Sequence, residues 1–351
     1  MLSKIPTTVI TGFLGAGKTT LIRHLINNAA GRKIALIINE FGDLGVDGDI
    51  LKGCGDDACN EEDILELSNG SICCTVADDF IPTMQKLLER ETRFDHIIIE
   101  TSGLALPQPL VRAFKWPEIQ TRVTVDGVIT VVDGKAVTEG RFAHSIEAVD
   151  QQRASDENLD HETPLSELFE DQIACADMII VNKSDLLTND QADVLVDQLK
   201  RDSRDGVQVL KSEKGVLSAE VVLGQKMGVE NDLENRHELH HHHHEDDFNH
   251  HHDDHDHDDF ESFIIAIQEI QDPNIFIQKV VKVIKQHDIL RLKGFVAVKG
   301  KPMRLTIQAV GPRVDSYFDK AFGINEERAT KIVVIGQKGM NQSKIAEALM
   351  R

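Results

Sequence analysis

No stretch of about 18 consecutive apolar residues occurs in the chain, so no segment reads as a membrane-spanning helix, and no membrane partner is expected. Residues Met1 to Thr11 lack a basic stretch followed by an apolar one. No secretory leader is expected, and the protein is expected to stay in the cytosol. Cysteine is scarce, at five residues: Cys54, Cys59, Cys73, Cys74 and Cys175. In a reducing compartment these are thiols, which excludes a disulfide framework. Positive charge is also in short supply, with 38 Lys and Arg against 59 Asp and Glu and a formal net charge of −21. Phosphate backbones need a basic surface, so nucleic acid is excluded as a partner. The deficit is concentrated: between His237 and Glu261 there are ten acids and no Lys or Arg, about half of the net charge. There are no internal repeats.

Hydrophobic residues make up 41% of the 351, enough for a sizeable core, and the length suits two domains. Short β-branched runs alternate with helical patterns up to about Lys214. Thr7–Thr11, Lys33–Asn39, His96–Glu100, Val128–Asp133, Met178–Asn182 and Val207–Leu210 read as buried strands. This alternation predicts an α/β domain over 1–215, with a mostly parallel sheet and helices on both faces. Periodicity fails over 216–260, which reads as an acidic, His-rich flexible linker. Order returns in a small α+β domain over 261–351. There Phe263–Ile270, Gly294–Val298, Met303–Val310 and Lys331–Ile335 read as strands, and Asn274–His287 and Asn341–Met350 as helices.

Gly12-Phe13-Leu14-Gly15-Ala16-Gly17-Lys18-Thr19 fits G-x-x-x-x-G-K-[ST], between a strand and a helix over Thr20–Ala30. Glycines let backbone N–H groups approach phosphates, Lys18 would neutralise the β/γ-phosphates, and the Thr19 hydroxyl would bind Mg²⁺. Gly12, Gly15, Ala16, Gly17, Lys18, Thr19 and Thr20 are therefore the expected phosphate cradle. Asn182-Lys183-Ser184-Asp185, after a strand, resembles the N-K-x-D element of GTPases. Its Asp accepts from the guanine N1–H and exocyclic amine, a donor pair that adenine lacks. Glu100 ends a strand and is followed by Thr101-Ser102-Gly103. In nucleotide-hydrolysing P-loop proteins an acid there orients Mg²⁺ or its water, and the Gly approaches the γ-phosphate. Lys18 and Glu100 are the catalytic candidates. Ser212-Glu213-Lys214 stands where GTPases often place a base-contacting loop.

Ser68-Asn69-Gly70-Ser71-Ile72-Cys73-Cys74 brings two adjacent thiols into a loop, and Asn39-Glu40-Phe41-Gly42 supplies a carboxylate after the second strand. Soft thiolates favour Zn²⁺, Co²⁺ or Cu(I) over Mg²⁺. Together with Ile10–Leu25, Ile38–Asp47, Leu67–Phe80, Ile97–Leu110, Val181–Leu186 and the stretch ILRLKGFVAVKGKP from Ile289, these motifs resemble the CobW family of metal-handling P-loop GTPases over nearly the full chain. The resemblance implies GTP with Mg²⁺, a transition-metal site at Glu40, Cys73 and Cys74, and Co²⁺ delivered to a cobaltochelatase as client in cobalamin biosynthesis. On ligand chemistry alone Zn²⁺ is at least as good a cargo. The family's C-x-C-C element has Ser71 at its first position here, a poorer ligand than a thiolate. A further ligand could come from Glu40, from water, or from Cys54 or Cys59, which equally suit an incidental Gly-rich turn. Cys175, in an apolar helical pattern, reads as core. Related GTPases commonly pair across the nucleotide, so a homodimer is an open expectation.

Eleven of the sixteen histidines fall between His237 and His257, interleaved with Asp. The run is internal, which excludes a purification tag. Imidazole with carboxylate suits Co²⁺, Ni²⁺, Zn²⁺ and Cu²⁺, and a low-affinity metal-gathering arm is the reading, with a solvated linker as the alternative. Three functions compete. In the first, GTP orders the Glu40 and Cys73-Cys74 loops into a tight metal site that hydrolysis releases. The second is metal storage with a regulatory GTPase. The third is a maturation GTPase that holds no metal. Deleting residues 237–259 should lower the number of metal ions bound per chain in equilibrium dialysis and leave GTP affinity unchanged. An unaltered stoichiometry would sink the metal-gathering arm.

Overall fold

The computed structural model describes residues 4–29, 31–39, 64–67, 80–91, 93–143, 145–155, 164–225, 227–232, 260–323 and 328–350. The chain divides into two compact units, Met1–His240 and His241–Arg351.

The first unit is built on seven parallel strands: β1 (Ile5–Thr11), β2 (Ile34–Asn39), β3 (Ile64–Leu67), β4 (His96–Glu100), β5 (Val123–Asp133), β6 (Met178–Asn182) and β7 (Gln208–Lys211). Their spatial order is β3-β2-β4-β1-β5-β6-β7. β4 and β6 are buried at every position, as strands covered on both faces must be. Among the described residues its helices are α1 (Lys18–Asn27), α2 (Ile81–Leu88), α3 (Pro107–Ala113), α4 (Gly134–Thr138), α5 (Ile146–Ser155), α6 (Leu165–Cys175), α7 (Asn189–Asp202) and α8 (Ala219–Val222). β1 lies between β4 and β5; the chain passes from β1 to β2 on the β4 side of the sheet and later crosses to β5 on the other. Such a reversal of winding leaves a crevice at the carboxyl ends of the strands, where ligands of open α/β sheets bind. Cys175 is fully buried at the end of α6, within the apolar cluster of Phe80, Met84 and Phe114.

The strands expected from sequence are present with ends shifted by a few residues, and β3 is an addition. Its four residues are too short a run to stand out. The larger difference lies after β7. Residues 216–232, expected to open the flexible linker, belong to the first unit. Ser218 caps α8 by accepting from Glu220 N, and Val221, Val222, Leu223 and Val229 are buried. The anchor is a bulge in β5. Thr7 pairs with Val125 and Thr8 with Gly127, which leaves Asp126 as the extra residue. Its carboxylate is fully buried and accepts from Gly224 N at 2.6 Å, Gln225 N at 2.8 Å and the Thr8 hydroxyl at 3.4 Å. Glu230 fastens the far end by accepting from Thr124 Oγ1 at 2.7 Å and Val125 N at 2.9 Å. Buried carboxylates thus replace the hydrophobic periodicity that the segment lacks.

The second unit is an antiparallel sheet of β8 (Phe260–Ile267), β9 (Arg291–Val296), β10 (Met303–Val310), β11 (Arg313–Ala321) and β12 (Thr330–Gln337), in the order β11-β10-β9-β12-β8. α9 (Pro273–Gln286) and α10 (Gln342–Met350) pack on it through Phe276, Val280, Ile284, Ile345 and Leu349. Asp272 caps α9 by accepting from Asn274 N and Ile275 N. β11 was missed in the sequence because its polar, largely exposed residues carry no apolar alternation.

Asp126→Ala removes the carboxylate that the Gly224 and Gln225 N–H groups share, the second of them buried. It should lower stability in urea denaturation by about 2–4 kcal/mol and open residues 216–232 to limited proteolysis. An unchanged midpoint would mean that the apolar contacts of α8 hold the segment by themselves.

Candidate functional site

The sequence motifs converge at the carboxyl edge of the parallel sheet. After β1 the chain turns through the Gly12–Gly17 loop into α1. Gly17 caps α1 with φ 101°, and no side chain caps this helix end. N–H groups and the helix dipole there favour an anion. A Cβ on Gly17 would lie 2.2 Å from Asn182 Nδ2, so both φ and space require glycine. Lys18 is buried and donates to Gly12 O at 2.8 Å and Phe13 O at 3.3 Å, which holds the ammonium inside the curve of the loop. Phe13 roots the loop from beneath. Its ring centroid lies 5.8 Å from that of Phe142 and 6.1 Å from that of Phe169, in a cluster completed by Leu104, Val149 and Leu168. Gly15 and Thr20 are exposed at the rim.

Thr19 Oγ1 donates to Glu100 Oε1 at 3.0 Å. The hydroxyl and the carboxylate predicted for Mg²⁺ are therefore already in contact, across 81 residues of sequence. Two further bonds align β4 with β1: Thr101 N donates to Ile10 O at 3.0 Å and Thr101 Oγ1 to Thr11 Oγ1 at 3.0 Å. Gly103 follows, and a Cβ there would meet Leu14 N at 2.6 Å, so its backbone runs against the phosphate loop. Fully buried Gln172 of α6 braces this turn by donating to Gly103 O at 3.3 Å and Ala105 O at 3.1 Å. Nothing in the sequence distinguishes Gln172 from other helix residues.

Asn182 ends β6 and bonds in two directions. Its Nδ2 donates to Ala16 O at 2.9 Å, and its Oδ1 accepts from Gly215 N at 3.0 Å. The Ser212-Glu213-Lys214 turn thereby joins the site. Ser212 N donates to Val181 O at 2.9 Å and Ser184 N to Ser212 O at 3.1 Å. Lys183 takes the left-handed conformation at φ 59°, and its Nζ lies 2.5 Å from buried Asp133 Oδ2. Asp133, another residue missed in the sequence, ends β5 and also caps α4 by accepting from Ala136 N. Asp185 stands exposed in the short turn Ser184–Leu186. An anionic phosphate chain fits the helix end and Lys18, Mg²⁺ fits the Thr19–Glu100 pair, and a base bearing two donors fits Asp185.

Glu40, Cys54, Cys59, Ser71, Cys73, Cys74 and the His-rich residues 237–257 lie outside the described residues. The described strands still show where two of these segments begin. Asn39 pairs with Leu67 at the ends of β2 and β3, and Ile38 pairs with Glu100. The chain therefore leaves toward Glu40, and again toward Cys73, from the same sheet edge that carries the phosphate loop. Among the described residues no three His, Cys, Asp or Glu side chains gather as a metal site, and no helix is long and apolar enough to cross a membrane.

The family model described as the CobW/HypB/UreG nucleotide-binding domain matches residues 6–211. The model of the cobalamin synthesis protein cobW C-terminal domain matches residues 260–351. A zinc chaperone CobW from a Sinorhizobium species is 56% identical over 346 residues, which cover 99% of this chain and 96% of that one. The zinc chaperone CobW of Pseudomonas aeruginosa is 48% identical over 352 aligned positions, covering 99% of this chain and 91% of that one. The crystal structure of the Zn(II)-bound YjiA GTPase from E. coli aligns over 99% of this chain and 98% of that one, with 24% identity and a TM-score of 0.41.

Asp185→Asn exchanges an acceptor for a donor at the base. The preference for GTP over xanthosine triphosphate, measured by competition against a fluorescent nucleotide, should fall by about four orders of magnitude. An unaltered preference would place the base elsewhere.

Proposed function

Because the chain belongs to the CobW family of P-loop GTPases, by matches over residues 6–211 and 260–351, we propose that it is a GTP-hydrolysing metallochaperone whose cargo is Zn²⁺. The observation that carries the nucleotide part is the convergence of Lys18, the Thr19–Glu100 pair and the Asn182 clamp on one loop, with Asp185 exposed beside it. The roles follow from chemistry. N–H groups of the Gly12–Thr20 segment and the Lys18 ammonium bind the phosphates. Thr19 and Glu100 hold Mg²⁺ or its water, and Gly103 lets the backbone approach the γ-phosphate. Asn182 keeps the phosphate loop and the base loop in fixed relation, Lys183 packs along the base site, and Asp185 reads guanine. Bound Mg²⁺ supplies neutralisation of the charge that develops on the phosphates. Glu40, Cys73 and Cys74 are the cargo ligands. Their segments start from strand ends beside Glu100, so contacts to the γ-phosphate would order the metal site, and hydrolysis would release it.

Zinc is favoured over cobalt on two grounds. Two relatives, 56% and 48% identical, carry the name zinc chaperone. A set of two thiolates and a carboxylate, with Ser71 in place of a third thiol, also suits the borderline Zn²⁺ ion. Delivery of Co²⁺ to a cobaltochelatase is the second reading, favoured by the cobalamin-synthesis description of the matching C-terminal domain.

The test is a Zn²⁺ titration against a chelating dye, with the chain lacking residues 237–259, in Mg²⁺–GTP and then in Mg²⁺–GDP. One tight site with GTP is expected, weaker by about 5–150-fold with GDP, and lost in the Cys73→Ser/Cys74→Ser variant. Linkage requires Zn²⁺ to raise the preference for GTP over GDP by the same factor. Affinity blind to the nucleotide would replace the chaperone with a storage protein. Nucleotide gating seen with Co²⁺ and absent with Zn²⁺ would establish the second reading.

A further inference from the structure

Asp133 is a charge buried at the end of β5, 1% exposed, which the phosphate and metal chemistry leaves without a task. A buried carboxylate needs paired and hydrogen-bonded partners to stay ionised. Here each oxygen has one. Oδ1 accepts from Ala136 N at 3.1 Å, and Oδ2 lies 2.5 Å from Lys183 Nζ. The first bond fixes the carboxyl plane and therefore the direction of the second oxygen. The sheet fixes the rest, because register pairs Asp133 with Asn182, the residue before Lys183. A Cβ on Gly134 would lie 2.9 Å from Val181 Cγ1 and 3.1 Å from Asn182 O, so the turn after β5 packs directly on the end of β6. Lys183 is held at its other end as well. Ser184 N donates to Ser212 O at 3.1 Å, and the Lys183 backbone keeps φ 59°, a left-handed conformation uncommon in non-glycine residues. Backbone and ammonium are thus both anchored. The alkyl stem between them, in a side chain 27% exposed, runs a fixed course from the base element to β5.

We propose that Asp133 is a positioning residue for guanine binding, acting through Lys183; the inference rests on the guanine-nucleotide reading of this site. Two physical effects follow from the ion pair. The first is preorganisation. Lysine carries a large rotamer entropy, and a stem that is already ordered offers the base an apolar surface without losing that entropy on binding. The second is protection of the residue that reads the base. Asp185 is exposed, stands two residues from Lys183, and needs its carboxylate open for the two guanine donors. A lysine released from Asp133 can fold its ammonium onto Asp185 and occupy those acceptors. With the ammonium on Asp133 the two carboxylates divide their work: the buried one takes the lysine, and the exposed one keeps its oxygens for the base. This requires charge at residue 133, and a capping oxygen there is not enough.

Asp133→Asn separates the two bonds of this side chain, because the amide oxygen still caps α4 from Ala136 N and the charge is gone. The full-length protein is loaded with fluorescent GDP, and release is followed by stopped flow. Release should be about tenfold faster in Asp133→Asn, while single-turnover hydrolysis of bound GTP, which depends on Lys18, Thr19 and Glu100, keeps the wild-type rate. In a Lys183→Met background the same Asp133→Asn change should alter GDP release by less than about twofold, since the residue it acts through is absent. Unchanged release in Asp133→Asn overturns the proposal, as does hydrolysis that falls as far as affinity. So does an effect of the same size that persists in the Lys183→Met background, which would assign it to the turn after β5. A wild-type chain that holds no GDP takes down the guanine reading itself, and the inference with it, before any variant is compared.

Discussion

The side-chain amide of Asn182 is the contact on which the nucleotide site depends. It is buried at the end of β6 and faces an acceptor, Ala16 O, on one side and a donor, Gly215 N, on the other. A side-chain amide offers a donor and an acceptor on one small planar group. A carboxylate would repel the Ala16 carbonyl, and an apolar group would orphan two buried backbone atoms at about 1–3 kcal/mol each. The bond to Ala16 brings the amide so close to the phosphate loop that residue 17 has to be glycine. The bond to Gly215 brings in the turn after β7. The loop that carries Lys18, the element that carries Asp185 and the turn after β7 are thus locked together by one side chain.

The two units solve the burial problem differently, and the difference bears on function. The parallel sheet is covered on both faces, so its chemistry can only sit at the strand ends. There Glu100, Gly103, Lys18 and Asn182 meet, beside the strand ends from which the chain runs to Glu40 and Cys73. Among the described residues the antiparallel sheet carries its helices on one face.

What could be read from the residues alone was the machinery whose chemistry needs fixed spacing. The Gly12–Thr19 loop, the acid at Glu100 with Gly103, and the Asn182-to-Asp185 element each depend on a few residues in a short stretch, and the fold brings all three to the carboxyl edge of the parallel sheet. Contacts made across long sequence distances left no such signature. Gln172 braces Gly103 from 69 residues away, Asp133 pairs with Lys183 from 50 residues away, and Asp126 holds Gly224 from 98 residues away. The last of these turns the polar stretch after β7 from an expected linker into part of the first unit.

By itself the sequence determined the fold class of both halves, the phosphate and base motifs, and the concentration of acid and histidine before the second unit. These follow from local period, glycine spacing and composition, which need no partner. Tertiary structure alone decided that Thr19 and Glu100 touch, that Asn182 joins three loops, and that a bulge buries Asp126. Each of these depends on strand order and register. A parallel sheet with the order β3-β2-β4-β1-β5-β6-β7 makes neighbours of residues that the chain keeps far apart.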